Sequence, residues 1–161
     1  MRIVLTLVIA IAFGSASAGA ERRQLPAFSV VAADGVPAAS SQLGVPGRWL
    51  LVYITPGCVP CDRLLTSLDG WGVLQQGAGR AVVVVDGSGE SLAARVRTLM
   101  PTAGNTVRVY SDVERRAATA LSVTRAPFLI GVEDGVIDWT VGGVLNDPKA
   151  VETLVRSWLA R

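Results

Sequence analysis

Apolar runs bounded by turn-forming residues divide the chain into short alternating elements. Trp49-Leu-Leu-Val-Tyr-Ile54 and Ala81-Val-Val-Val-Val85 are unbroken apolar stretches, the pattern of strands covered on both faces. Each ends in breakers, Thr55-Pro-Gly57 and Asp86-Gly-Ser-Gly89. After the first, Leu64, Leu65 and Leu68 recur at helical spacing from Cys58 to about Leu74, with Gly70 and Gly72 fraying the far end. After the second, Leu92, Val96, Leu99 and Met100 form one helical face, opened by a Ser88 or Ser91 cap and stopped by Pro101 and Gly104.

Elsewhere the pattern alternates. Pro26-Ala-Phe28-Ser-Val30 reads as a first strand closed by Asp34-Gly35, and Ser40 to Gly47 reads as loop. Thr106-Val-Arg-Val-Tyr110 is a strand, and Ser111-Asp112 opens a helix through Val113, Ala117 and Leu121. Pro127-Phe-Leu-Ile-Gly-Val132 and Val136-Ile-Asp-Trp-Thr-Val141 are joined through Glu133-Asp134-Gly135, a hairpin signal. Asp147 followed by Pro148 opens a last helix, whose core face is Val151, Leu154, Val155, Trp158 and Leu159. Two βα units followed by a hairpin predict an α/β domain: a mixed central sheet, part parallel and part antiparallel, with helices on both faces.

Composition narrows the chemistry. Half of the 161 residues are hydrophobic, 17% are charged and the formal net charge is +2, so a packed core is expected and a broad basic field for nucleic acid is not. Histidine is absent, which removes Ser-His-Asp and Cys-His catalysis and leaves two cysteines and some carboxylates as zinc ligands. No metal site is expected. The chain opens with Arg2, an apolar run from Ile3 to Phe13 and the small-residue stretch Gly14 to Ala20. That is the pattern of a secretory signal peptide over residues 1–20, cleaved after Ala18 or Ala20, with one domain over 21–161. An uncleaved membrane anchor is the other reading of the same segment. Either way the domain is placed in a periplasmic or otherwise extracytoplasmic compartment, where a cysteine pair is oxidised and stays so.

The two cysteines form one motif, Cys58-Val59-Pro60-Cys61. It stands where a buried strand gives way to a helix, so Cys58 falls in the first turn, where unpaired N–H groups and the helix dipole favour a thiolate. Cys61 is three residues on, on the same face and more buried, and Pro60 restricts the helix start. This spacing suits thiol–disulfide exchange, with Cys58 attacking and Cys61 resolving. A structural staple across so short a loop would contribute only roughly 2 kcal/mol. A zinc half-site lacks further ligands, and inert thiols are hard to maintain outside the cytoplasm.

Trp49 to Cys61, the later Ala126-Pro127-Phe-Leu-Ile130, the Asp134-Gly135 hairpin and Gly142-Gly143 together resemble the thioredoxin fold, most closely the TlpA-like branch of extracytoplasmic thiol-disulfide oxidoreductases. The resemblance implies a three-layer sandwich with the CxxC at the start of the first helix. Ala81 to Tyr110 then looks like that branch's inserted β-α unit and its return strand. It also implies that Pro127 is a cis-proline facing the cysteines, that Ala126 and Pro127 dock substrate, and that no dissociable cofactor is needed. The implied partners are client proteins with disulfides or thiols, and a membrane redox partner that resets the pair. Reduction of envelope proteins is the implied direction.

Two positions depart from that pattern. Gly57 stands where family members carry Trp, and Val52 where thioredoxins carry a buried Asp, so proton transfer to Cys61 would need water or another group. Asp62 reads as a solvated helix-start carboxylate and Trp49 as a strand-start core aromatic. Two other functions stay open. Thr55-Pro-Gly-Cys58 with Arg125 resembles a peroxiredoxin peroxidatic motif, in which Cys58 would form a sulfenic acid that Cys61 resolves. A non-catalytic thioredoxin-fold binding or assembly factor is the second.

Overall fold

The two apolar runs, Trp49–Ile54 and Ala81–Val85, become the two central strands of the sheet. The computed structural model describes residues 23–161, apart from 73, 75–76, 88–89 and 144–146. Residues 1–20, which carry the expected signal peptide, and Ser88 therefore lie outside the described residues, as do the side chains of Ser91 and Leu92. Eight strands are described: β1 Arg23–Gln24, β2 Ser29–Ala32, β3 Pro37–Ala39, β4 Arg48–Ile54, β5 Ala81–Asp86, β6 Arg108–Asp112, β7 Phe128–Glu133 and β8 Val136–Gly142. Four helices accompany them: α1 Val59–Gly70, α2 Glu90–Leu99, α3 Arg116–Ala120 and α4 Pro148–Leu159. The sheet order is β1-β8-β7-β4-β5-β6-β2-β3, with β4, β5 and β6 parallel and the remaining pairs antiparallel.

Alternation along β4 assigns the two cores. Leu50, Val52 and Ile54 face Leu64, Leu65 and Leu68 of α1, Val96 of α2, and Val151, Val155 and Trp158 of α4. Trp49, Leu51 and Tyr53 face Phe28, Val30 and α3 residues Ala117 and Ala118. Helices thus cover both faces of a mixed sheet. At the sheet end away from the cysteines, Trp139 meets Trp158 edge-on at 6.1 Å and the Arg48 guanidinium lies 4.6 Å from the Trp158 ring centre, which pins the end of α4.

The amino-terminal third differs from the sequence reading. Pro26 to Phe28 precede the first long strand, which runs from Ser29 and pairs with the unanticipated β3, and Ser40–Gln42 form a 3-10 turn. Ser111-Asp112 is a second correction. Both residues complete β6, because the parallel pairing continues to Asp86 opposite Asp112. Val113 is left 51% exposed and α3 starts only at Arg116.

Asp112 nonetheless caps that helix, from the neighbouring strand. Its Oδ1 accepts from the Ala117 amide at 3.1 Å, and its Oδ2 from the Ala118 amide at 2.9 Å and the Tyr53 hydroxyl at 3.1 Å. Burial, and then the charges of Asp112 and Asp86, hold the Tyr53 phenol well above its usual pKa. Replacing Asp112 by Ala leaves three buried donors without an acceptor and should cost about 3 kcal/mol in urea unfolding; Tyr53→Phe should cost about 1 kcal/mol. Because the folded-state value is raised, the Tyr53 contribution is fully present below about pH 10 and is lost as pH rises above it. Tyr53→Phe should therefore flatten the alkaline fall in stability.

Candidate active site

The end of β4 delivers the cysteines. Thr55-Pro56-Gly57-Cys58 forms a tight turn, in which the Cys58 amide donates to the Thr55 carbonyl at 3.4 Å and Gly57 has φ +73°. A left-handed residue at the third position is what a type II turn requires, and proline is common at the second. Glycine supplies that φ without strain. The tryptophan that the resemblance leads one to expect at 57 is thus replaced by a residue the turn itself uses.

Cys58 is the N-cap of α1 and Pro60 sits in its first turn. The Cys61 amide donates to the Cys58 carbonyl at 3.0 Å and to Cys58 Sγ at 3.2 Å. The two sulfurs are joined as a disulfide with Cα atoms 5.2 Å apart. Here Sγ of Cys58 is a disulfide sulfur, a weak acceptor. A thiolate at the same position would be a far better acceptor. Cys58 is half-buried, Cys61 is only 1% exposed, and Val59 between them is 58% exposed. A visitor reaches Cys58 first, over an apolar side chain.

The Ala126–Pro127 peptide bond is cis. Strand β7 runs antiparallel to β4 with Phe128 opposite Tyr53, so Pro127 comes level with Ile54, at the sheet end from which Cys58 follows. The Pro127 carbonyl accepts from Gly143 at 2.9 Å, and Pro127 is buried. The four residues singled out from sequence, Cys58, Cys61, Ala126 and Pro127, share one end of the sheet, with Val59 and Pro60 at the helix head. Arg125 is exposed, with its aliphatic chain beside Gly143. A cleft of about 170 Å³ opens beside Pro60, lined also by Arg63, Leu64, Trp71, Pro148 and Val151.

The supporting residues resolve the other departures. Val52 is fully buried in the core that contains Cys61, so a packed aliphatic side chain occupies the position of the expected carboxylate. Trp49 lies in the opposite core, as a strand-start core aromatic. Asp62 is not simply solvated. Arg95 of α2 holds it through two bonds, Nε to Oδ1 at 3.3 Å and a closer one from Nη2 to Oδ2. The pair joins residues 33 apart, and only the inserted-unit reading of α2 could have suggested that they meet.

No protein-family model matches this chain, and no curated protein matches it in sequence. Solved structures do match in shape. A secreted Mycobacterium tuberculosis disulfide oxidoreductase homologous to E. coli DsbE superposes with a TM-score of 0.60 at 14% identity, covering 83% of this chain and 94% of that one. A thiol:disulfide interchange protein of the thioredoxin family from Chlorobium tepidum gives 0.61 at 19%, covering 88% and 99%. A peroxiredoxin-like protein from Aquifex aeolicus gives 0.61 at 12%, covering 85% and 86%. At such identities the likeness speaks for architecture: this chain has the thioredoxin-like fold.

Proposed function

We propose that the protein is an extracytoplasmic thiol-disulfide oxidoreductase that reduces disulfides of envelope proteins. One observation carries the reading. A half-buried Cys58 caps a helix, disulfide-bonded to a buried Cys61, at the sheet end that holds the cis Ala126–Pro127 bond. A purely structural staple has no need of an accessible sulfur at a helix head.

In the reduced protein the Cys58 thiolate attacks one sulfur of a client disulfide. A mixed disulfide forms and the client's other cysteine leaves as a thiolate, which solvent protonates. Cys61 then loses its proton to water and attacks Cys58 Sγ. The Cys58–Cys61 bond closes and the client's second cysteine departs as a thiol. Val59 and the Ala126-Pro127 segment receive the client chain around the reacting sulfurs. Two electrons and two protons from a membrane-borne dithiol partner reopen the ring, so no dissociable cofactor is required. The signal-like residues 1–20 support the location, and the secreted mycobacterial neighbour fits it.

With Cys61→Ser the second step is blocked, so mixed disulfides with envelope proteins should accumulate through Cys58 and vanish on treatment with dithiothreitol. Non-reducing gels with mass spectrometry would identify the clients. Absence of any adduct, with rapid consumption of hydrogen peroxide by the wild-type protein, would replace this reading with the peroxidase.

A further inference from the structure

Asp62 lies one turn along α1 from Cys58, the helix N-cap. The Asp62 amide donates to the Cys58 carbonyl at 3.1 Å, so the carboxylate sits at the same helix head as the sulfur. A bare carboxylate there would oppose a thiolate on Cys58, because like charges raise each other's cost. The chain does not leave it bare. Arg95 grips both carboxylate oxygens from α2, in the forked arrangement guanidinium groups favour. The Asp62 side chain is 28% exposed and that of Arg95 53%, so the pair is partly shielded at its carboxylate end.

We propose that Arg95 is a positioning residue that sets the redox poise of the Cys58–Cys61 pair by neutralising Asp62. The inference deepens the oxidoreductase reading and rests on it. The turn that follows α2 is tied to α1 independently, since Asp69 at the other end of α1 accepts from the Thr102 and Ala103 amides at 3.0 and 2.7 Å. Loss of Arg95 therefore changes the charge beside Cys58 while the two helices stay in place. The exposed Arg63 on α1 and Arg125 ahead of Pro127 also contribute positive charge, and they are the same in every variant compared below.

Two substitutions separate charge from structure. Arg95→Gln and Asp62→Asn break the same bridge but leave opposite charges behind. The readout is the equilibrium in which the disulfide and two glutathione thiols give the dithiol and glutathione disulfide. Arg95→Gln leaves a free carboxylate beside the thiolate-bearing reduced form and should lower this reduction constant about threefold, the scale of partly exposed ion pairs. Asp62→Asn leaves a free guanidinium and should raise it about threefold. The double variant should return close to wild type. Both single-variant shifts should shrink in 1 M KCl, where screening acts within about 3 Å.

A merely structural clamp would move both single variants in the same direction, or leave both unchanged, and either result overturns the proposal while the oxidoreductase reading stands. A wild-type disulfide that fails to equilibrate with glutathione at all would overturn both.

Discussion

Serine at position 58 should leave a folded protein whose disulfide-reductase turnover has fallen at least about a thousandfold, the scale expected when a covalent nucleophile is removed. A hydroxyl at the same N-cap still accepts the Cys61 amide bond, and serine is among the favoured N-cap residues, so α1 keeps its start. What disappears is an anion able to attack a disulfide, because a hydroxyl does not ionise under conditions where a thiol at a helix head does. The structural cost is small by comparison. Losing a cross-link across so short a loop removes roughly 2 kcal/mol relative to the oxidised protein, and Cys61→Ser also places a hydroxyl at a site only 1% exposed. Stability should therefore fall further in Cys61→Ser than in Cys58→Ser. Their chemistry should differ, with Cys58→Ser inert and Cys61→Ser still forming adducts. Reduction of a model protein disulfide, followed alongside urea unfolding of both variants, checks this. Full activity in Cys58→Ser would leave the non-catalytic binding module as the reading to pursue.

Much of this site was legible in the chain because its determinants are local. Trp49 to Ile54 could only be a strand buried on both faces, the Thr-Pro-Gly turn had to end it, and cysteines at N-cap and N3 follow from where the helix then starts. Asp134-Gly135 fixed the hairpin, and the Asp147 cap seen from sequence is real, with its carboxylate accepting from the Ala150 amide at 3.0 Å. Features set by residues far apart in sequence were not legible. Asp112 looked like the start of a helix because an acidic residue ahead of Ala-rich sequence is a cap signal. It is a cap, yet it works from the end of β6 across a left-handed Arg115, and only the pairing with β5 keeps it in the strand. The short β3 has weak alternation and exists through its antiparallel pairing with β2. Asp62 looked solvated because its partner lies on another helix.

The second large effect concerns a residue of the core that contains Cys61. Val52 has no exposed surface and lies in the core with Cys61, Leu64 and Leu65. Val52→Asp would restore the carboxylate of the thioredoxin pattern in a pocket built for an aliphatic side chain, and should destabilise the protein by about 3–5 kcal/mol at neutral pH. The pH dependence has a definite sign. Burial disfavours the charged form and raises the folded-state pKa above the unfolded value of about 3.9. The aspartic acid is then tolerated best below about pH 4. Stability relative to wild type falls as pH climbs toward the raised folded value, and levels off above it. Urea midpoints for the variant and wild type at pH 4 and pH 8 measure the difference, and an equal gap at both would mean that water already reaches this position. The same carboxylate, with its pKa raised toward the working pH, is suited to take the proton from Cys61. Resolution of the mixed disulfide should thus quicken while the fold weakens, a trade in which the native valine favours packing over proton transfer.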